Sequence, residues 1–286
     1  MSLRPTRRAL LLVPLTLFSG CARSGPSPGR SPTSRVISLS PATTEALFAL
    51  GRGNRLVGRS RFCNHPPEAL ALPSVGGFVD PSFEAILALS PRLVVGVQGP
   101  GGPAIAERLT HAGIDSYFPA TDSFDQIISM TAGLGERLGA ATEAARLASR
   151  LKDARALIAR KLSGRARPRA LLVFGLRPIV AAGRDGFPDE MLRLAGAENV
   201  VTGPRYPTLG VEQLLALDPD VVIDATGAAG HDGDGVSVGL PGWSELRAVR
   251  AGRLVALRDD RVLRPGPRIG EGLEVLARAL HPEVFR

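Results

Sequence analysis

The chain has 286 residues, of which 44% are hydrophobic and 22% are charged, and its formal net charge is +8. This composition excludes a disordered chain, and the length allows two domains with cores of their own. No block of basic residues interleaved with aromatic ones occurs, so nucleic acid is not a predicted partner. The two cysteines are too few for a disulfide framework.

The amino terminus has the pattern of an export signal. Three arginines precede a short apolar run, and small residues lead up to Cys21. The run is too short to remain as a membrane-spanning helix. The residues before Cys21 resemble the cleavage site of bacterial lipoproteins, although Phe18 stands where an aliphatic residue is usual. We therefore predict a lipoprotein signal peptide over 1–21, lipidation of Cys21 and a flexible tether over 22–34; the alternative is an ordinary secretory peptide in which Cys21 is incidental.

Residues 35–139 alternate short apolar strands with helices, a pattern typical of a mainly parallel sheet covered by helices. We predict one α/β lobe here, with strands at 35–39, 56–58, 93–95 and 114–118. Loops that follow the ends of strands are where open α/β sheets bind ligands. Three such loops are predicted, at 60–67, 75–78 and 96–103. The third is rich in glycine but lacks the lysine and hydroxyl residue of a nucleotide-binding P-loop.

Residues 140–163 contain neither glycine nor proline and predict one helix of about 36 Å. An apolar stripe runs along it, formed by Leu147, Leu151, Ala154, Ile158 and Leu162. Its place in the middle of the chain favours a rigid connection between two lobes over one more surface helix of a single domain.

Residues 164–286 repeat the alternation of strands and helices and predict a second α/β lobe. The stretch PSFEAILALSPRLVV at 81–95 returns at 210–223 as GVEQLLALDPDVVI. In each copy a short helix carries a glutamate in its first turn, ends before a proline and is followed by a buried strand. The repeat predicts two lobes of similar design that carry Glu84 and Glu212 at equivalent places.

Five segments resemble the family of proteins that bind cobalamin, haem or ferric siderophores for bacterial ABC importers, and above all its cobalamin-binding members. In chain order they are ISLSPATTE, VGRSRFCNHPPE, VGGFVDPSFEAILALSP, YPTLGVEQLLALDPD and RPGPRIGEGL. The resemblance implies two doubly wound parallel-sheet α/β lobes joined by one long α-helix, with the ligand in the cleft between them. We expect a monomeric, membrane-anchored lipoprotein of the periplasm that has no cofactor and no enzymatic activity and serves a permease with its ATPase subunits.

Cobalamin-binding members of the family line the cleft with aromatic side chains, and the matching positions here are Phe62, Phe78, Phe174 and Tyr206. Phe78 and Tyr206 stand where tryptophan is common among the relatives. Core packing is the alternative, and it fits Phe174, which ends a strand. The other three lie in loops, where a ring without a ligand would expose apolar area. Asp260 and Arg264 match polar ligand contacts of the relatives, or else form a surface pair.

In the same family, one exposed glutamate on each lobe docks onto arginines of the membrane permease. The matching positions are Glu84 and Glu212. Opposite charges across an interface couple by about 1.5–7 kcal/mol where this has been measured. The alternative is an ordinary carboxylate at a helix start, which contributes about 0.3–1 kcal/mol to its own helix.

Cys63 and His65 lie in a predicted ligand loop, where either could reach the metal of a corrin or porphyrin or merely shape the loop. Haem or a ferric siderophore is the alternative ligand; for haem, Tyr206 or His65 would be the axial ligand, with Arg177 and Arg264 on the propionates. A third reading is an exported hydrolase using Cys63 and His65, but no third orienting group accompanies them. The remaining histidines are scattered, which disfavours a zinc or manganese site: His111, His231 and His281.

Overall fold

The structure of the chain, a computed structural model, describes residues 35–99, 102–228, 235–236 and 239–285. The predicted signal peptide, the tether and the predicted lipidation site at Cys21 lie outside these residues. Within these ranges, none of the helices combines the length and the apolar character that crossing a membrane requires.

The first half of the described chain forms a four-stranded parallel sheet in the order β2-β1-β3-β4. Its strands are β1 (Val36–Ser38), β2 (Leu56–Arg59), β3 (Leu93–Val95) and β4 (Asp115–Tyr117). The helices of this half are α1 (Pro41–Ala49), α2 (Phe83–Ala88), α3 (Gly102–His111) and α4 (Phe124–Arg137). Val36 and Val95 face one side of the sheet, and Ile37 and Val94 face the other. Burial of both faces explains why β3 is apolar at every position and why β1 begins with two apolar residues.

The second half forms a six-stranded sheet in the order β10-β9-β5-β6-β8, with β7 beside β5. Its strands are β5 (Arg169–Leu176), β6 (Ile179–Ala181), β7 (Glu198–Asn199), β8 (Thr208–Leu209), β9 (Val221–Asp224) and β10 (Leu254–Ala256). The helices are α6 (Phe187–Leu194), α7 (Val211–Leu217), α8 (Arg247–Arg250) and α9 (Ile269–Leu280).

The prediction of two α/β lobes is confirmed, but the second sheet is mixed rather than parallel throughout. Strands β10, β9 and β5 run parallel, whereas β6 is antiparallel to both β5 and β8. The reason is the short connection at Arg177-Pro178, because two residues can join neighbouring strands only as a hairpin.

Helix α5 (Ala141–Lys161) is the predicted connector and contacts both halves. It packs against α4 of the first half and against α9 and α6 of the second. Leu147, Leu151 and Ile158 are buried along one side, as the apolar stripe predicts. These leucines belong to one hydrophobic cluster with Val36 of the first sheet and Leu172 of the second. The core is therefore continuous across the two halves, and α5 runs through it.

The repeated stretch adopts the same local structure twice. Helix α2 leads into β3, and α7 leads into β9. Ile86 and Leu214, which match in the alignment of the two copies, are both fully buried. The helices begin differently, because the Ser82 hydroxyl accepts a hydrogen bond from Ala85 N at 3.2 Å, whereas the Gln213 side chain accepts one from Gly210 N at 2.8 Å.

The shared core predicts a large cost for truncating the buried stripe of α5. We expect Leu151→Ala to lower the free energy of unfolding by about 2–5 kcal/mol, because it leaves a cavity between the halves. Leu157→Ala is the matched control on the same helix, since Leu157 is 43% exposed, and should change stability by about 0.5 kcal/mol or less. Urea unfolding measures both values. Equal effects of the two substitutions would contradict the shared core.

Candidate ligand-binding site

Two of the predicted ligand loops of the first half are fastened together by Arg61. Its backbone N–H donates to Gly76 O at 2.8 Å, and its guanidinium donates to both carboxylate oxygens of Asp80 at 2.7 Å. These bonds hold the pKa of Asp80 below its usual value. The same guanidinium lies 5.2 Å from the centre of the Phe62 ring. The loop after β2 and the loop before α2 therefore form one rim, on which Phe62 stands exposed.

Phe78 belongs to the same rim but is packed rather than free. It is half-buried, and its ring lies directly against Gly99 of the third predicted loop. A Cβ atom on Gly99 would come within 2.3 Å of the ring, so only glycine admits the ring in this position. All three predicted loops of the first half thus meet at the edge where the parallel strands end.

The second half contributes an aromatic pair at the corresponding edge. Phe174, near the end of β5, and Tyr206, in the loop before β8, meet edge to face, with ring centres 5.6 Å apart and an interplanar angle of 71°. Phe174 is half-buried, so its ring packs against the core and is also partly exposed at this edge. Tyr206 is 55% exposed and Phe62 is 51% exposed, and no other aromatic residue in the described ranges has more than half of its surface free.

Asp122 and Arg205 tie the two halves together beside Tyr206. The Arg205 guanidinium donates to the two carboxylate oxygens of Asp122 at 2.7 and 3.1 Å. Asp122 follows β4 of the first half, and Arg205 precedes Tyr206 in the second. Sequence reasoning did not single out this pair, because the two residues are far apart in the chain and neither lies in a recognisable motif.

A buried carboxylate, Glu45 of α1, makes a second connection between the halves. Arg268 donates to it from two nitrogens, at 2.8 and 2.7 Å, and Arg264 approaches it at 3.4 Å. Glu45 is only 3% exposed, and its carboxylate raises the pKa of Arg268. Arg264 also contacts Asp260 at 2.8 Å. The predicted ligand residues Asp260 and Arg264 are thus an ion pair that is joined to a network across the two halves.

Neither Glu45 nor Arg268 was among the site residues predicted from the sequence. Both lie inside segments that carry the family resemblance, at the end of ISLSPATTE and in the middle of RPGPRIGEGL. A charged residue among the small and apolar residues of such a segment was the available signal.

Cys63 is fully buried, which argues against the predictions that it contacts a ligand or acts as a nucleophile. Its Sγ lies 3.9 Å from the backbone oxygen of Ser38. Burial raises the pKa of the thiol, and hydrogen bonds from Thr44 and Ser60 offset this only in part. His65 is half-buried and lines a separate cavity with Glu45 and Arg268. Across the described ranges, His, Cys, Asp and Glu side chains do not assemble in threes that could hold a metal ion.

Glu84 and Glu212 occupy equivalent places in the first turns of α2 and α7. Each helix precedes a parallel strand, so its first turn lies at the edge where the strands end, which is also the edge of the aromatic rims. Glu84 lies 3.6 Å from Arg108, and its side chain is 82% exposed. Glu212 is exposed, and within the described residues it forms no ion pair.

Comparison with known proteins gives one family from both sequence and structure. A family described as periplasmic binding protein matches residues 36–261. The vitamin B12-binding protein of Salmonella typhimurium is 30% identical over 248 residues, which cover 86% of this chain and 90% of that protein.

Solved structures extend the likeness to the fold. The periplasmic vitamin B12-binding protein of Vibrio cholerae has a TM-score of 0.78 at 25% identity, over 89% of this chain and 99% of that one. A periplasmic heme-binding protein of Pseudomonas aeruginosa has a TM-score of 0.74 at 30% identity, over 87% of this chain and 93% of that one.

Both tyrosines of the chain should ionise above pH 10, the ordinary value for a phenol. Burial raises the pKa of Tyr206, with a further contribution from Asp122 that Arg205 opposes, and burial likewise raises the pKa of Tyr117. A raised pKa in the folded protein stabilises the neutral phenol, so this stability is present below pH 10 and is lost as the pH rises through the folded pKa. The ultraviolet absorbance of tyrosinate, followed as the pH is raised, measures both ionisations. Comparison with Tyr206→Phe shows which of the two belongs to Tyr206. Ionisation of Tyr206 below pH 10 would contradict its environment.

Proposed function

The chain belongs to the periplasmic binding protein family, and from this premise we propose that it captures cobalamin and delivers it to an ABC importer as a lipid-anchored substrate-binding protein. The observation that carries the ligand class is the pair of exposed rings, Phe62 and Tyr206, one at the strand-end edge of each half. Aromatic side chains in a concave site supply large apolar contact area at a small cost in conformational entropy. A corrin ring, which is broad and largely apolar on its faces, fits such a pair.

Cobalamin is favoured over haem because the arginine that would bind a haem propionate already has partners. Arg264, which would pair with a propionate, is already held by Glu45 and Asp260. Haem remains the second candidate, because Tyr206 is exposed and the heme-binding protein of Pseudomonas aeruginosa is as similar in sequence as the vitamin B12-binding relative. A ferric siderophore is third.

Capture would require no chemistry on the ligand. The aromatic rims would cover the faces of the corrin, while Arg61 and its bonds to Asp80 would keep Phe62 in place. The continuous helix α5 allows only a small rocking of the halves, because it packs against both of them along a buried stripe. Binding would therefore select a ligand whose thickness matches a gap that changes little.

Delivery would use the two matched glutamates and the membrane anchor. Glu84 and Glu212 would dock onto arginines of the permease, whose ATPase subunits would drive release of the ligand. Lipidation of Cys21 would hold the protein at the membrane in the periplasm, with residues 22–34 as a tether. The protein would act as a monomer.

Calorimetric titration with cyanocobalamin tests the ligand. We expect binding at micromolar concentration or better, and each of Phe62→Ala and Tyr206→Ala should weaken it about tenfold, because each removes a central aromatic contact. Leu70→Ala is the matched control, since Leu70 is also exposed, at 55%, but lies outside the three predicted ligand loops of the first half.

Haemin is titrated in parallel. The visible absorption spectrum is also recorded on protein taken directly from cells. A Soret band together with the absence of heat from cyanocobalamin would overturn cobalamin in favour of haem. Equal losses for Leu70→Ala and Phe62→Ala would show that the aromatic rims are not the site.

The docking role of the glutamates has a separate test. The double substitution Glu84→Lys and Glu212→Lys should abolish cobalamin uptake by cells but leave binding by the purified protein within about twofold of the wild type, because the pair would then repel the permease arginines. The matched control is Glu107→Lys with Glu198→Lys, which changes the net charge equally at two other exposed glutamates. Uptake that survives the first pair, or is lost with the second, would contradict docking through Glu84 and Glu212.

A further inference from the structure

A cavity lies between α1, α5 and the beginning of α9. Its volume is about 390 Å³, and the loop at His65-Pro66 closes one side. None of the four aromatic residues of the rims lines it. We call it the spine cavity, because α5 supplies its longest wall. Its volume is at the small end of the range of about 300–1,000 Å³ that is usual for ligand sites.

The inner wall of the spine cavity is apolar. Phe48 of α1 and Leu147, Leu151 and Ala154 of α5 line it. Gly270 completes this wall at the start of α9, where a Cβ atom would lie 3.0 Å from that of Ala154. The helices therefore approach closely at the base of the cavity, and the surface offered to an occupant there is hydrocarbon.

The charged groups of the cavity leave one cation unpaired. The two carboxylates are already neutralised, Glu45 by Arg268 at 2.7 Å and Glu271 by Arg261 at 2.6 Å. Arg150 of α5 is exposed to solvent and also lines the cavity, and within the described residues its guanidinium forms neither a hydrogen bond nor an ion pair. The imidazole of His65 is likewise without a hydrogen-bond partner among the described residues.

We propose that the spine cavity binds a small amphiphilic monoanion, a carboxylate with an apolar body. The carboxylate would accept hydrogen bonds from Arg150, in the bidentate geometry that guanidinium groups favour, and from a ring N–H of His65. The apolar body would lie against Phe48 and the leucines of α5. A dianion is disfavoured, because among the described residues of the lining only the guanidinium of Arg150 has no partner, and two carboxylates stand close by. This site is separate from the cobalamin proposal, since it uses none of the four aromatic residues on which that proposal rests.

Octanoate is a suitable probe, because it joins one carboxylate to a flexible apolar chain. Calorimetry on the whole protein should give saturable binding with one site, and 1-octanol, with the same body and no charge, should bind at least about tenfold more weakly. Arg150→Glu should weaken octanoate binding by about tenfold or more, since it replaces the cation with a repelling anion. Ala49→Trp should block binding without a change of charge, because Ala49 lines the cavity and the indole would fill it.

Arg160→Glu is the matched control for charge on the same helix, and Ala159→Trp is the control for size; both residues are exposed and lie outside the cavity. Neither should alter octanoate binding, and urea unfolding should confirm that all four variants are folded. Octanoate affinity that is unaffected by both Arg150→Glu and Ala49→Trp would overturn the proposal. So would binding that Tyr206→Ala abolishes, because the probe would then occupy the aromatic site. Failure of cyanocobalamin to bind would leave these outcomes unchanged.

Discussion

One buried stripe on a single helix connects the two halves of this protein. A sheet that is apolar on both faces must cover both of them. In each half, the outer face is covered by local helices, and the inner face is closed by a common layer that contains Leu147, Leu151 and Ile158 of α5. Neither half would have a complete interior without that layer. The halves are therefore parts of one hydrophobic core, although each has its own sheet.

The polar connections between the halves differ in strength, and the difference indicates where movement is possible. Removing one partner of a buried ion pair costs about 3–5 kcal/mol, whereas an exposed pair contributes about 0–1 kcal/mol. The Glu45–Arg268 pair is of the first kind, and the Asp122–Arg205 pair is largely of the second. The halves are accordingly held firmly beside α5 and loosely beside Tyr206, so that any opening would begin at the aromatic rims.

Patterns that are local in sequence predicted their elements well. The uninterrupted run from 140 to 163 is α5, and the repeated stretch is the pair of units α2–β3 and α7–β9, because periodicity and proline act over a few residues. The antiparallel turn into β6 was missed, since Ile179–Ala181 is extended in either orientation. Cys63 was placed at the ligand because its loop was recognised, whereas its burial depends on Ser38 and Thr44, which the chain brings from another strand and helix. The pairing of Glu45 was missed for the same reason, because its arginine partners are distant in the chain.

Gly99 lets an aromatic ring pack directly against the backbone at the edge where the strands of the first sheet end. The ring of Phe78 rests where a side chain at position 99 would otherwise be. Since the obstacle is a side-chain ring rather than the main chain, even one added methyl group at this position would displace the ring of Phe78. The position of the Phe78 ring at this edge thus depends on a residue that contributes no side chain of its own.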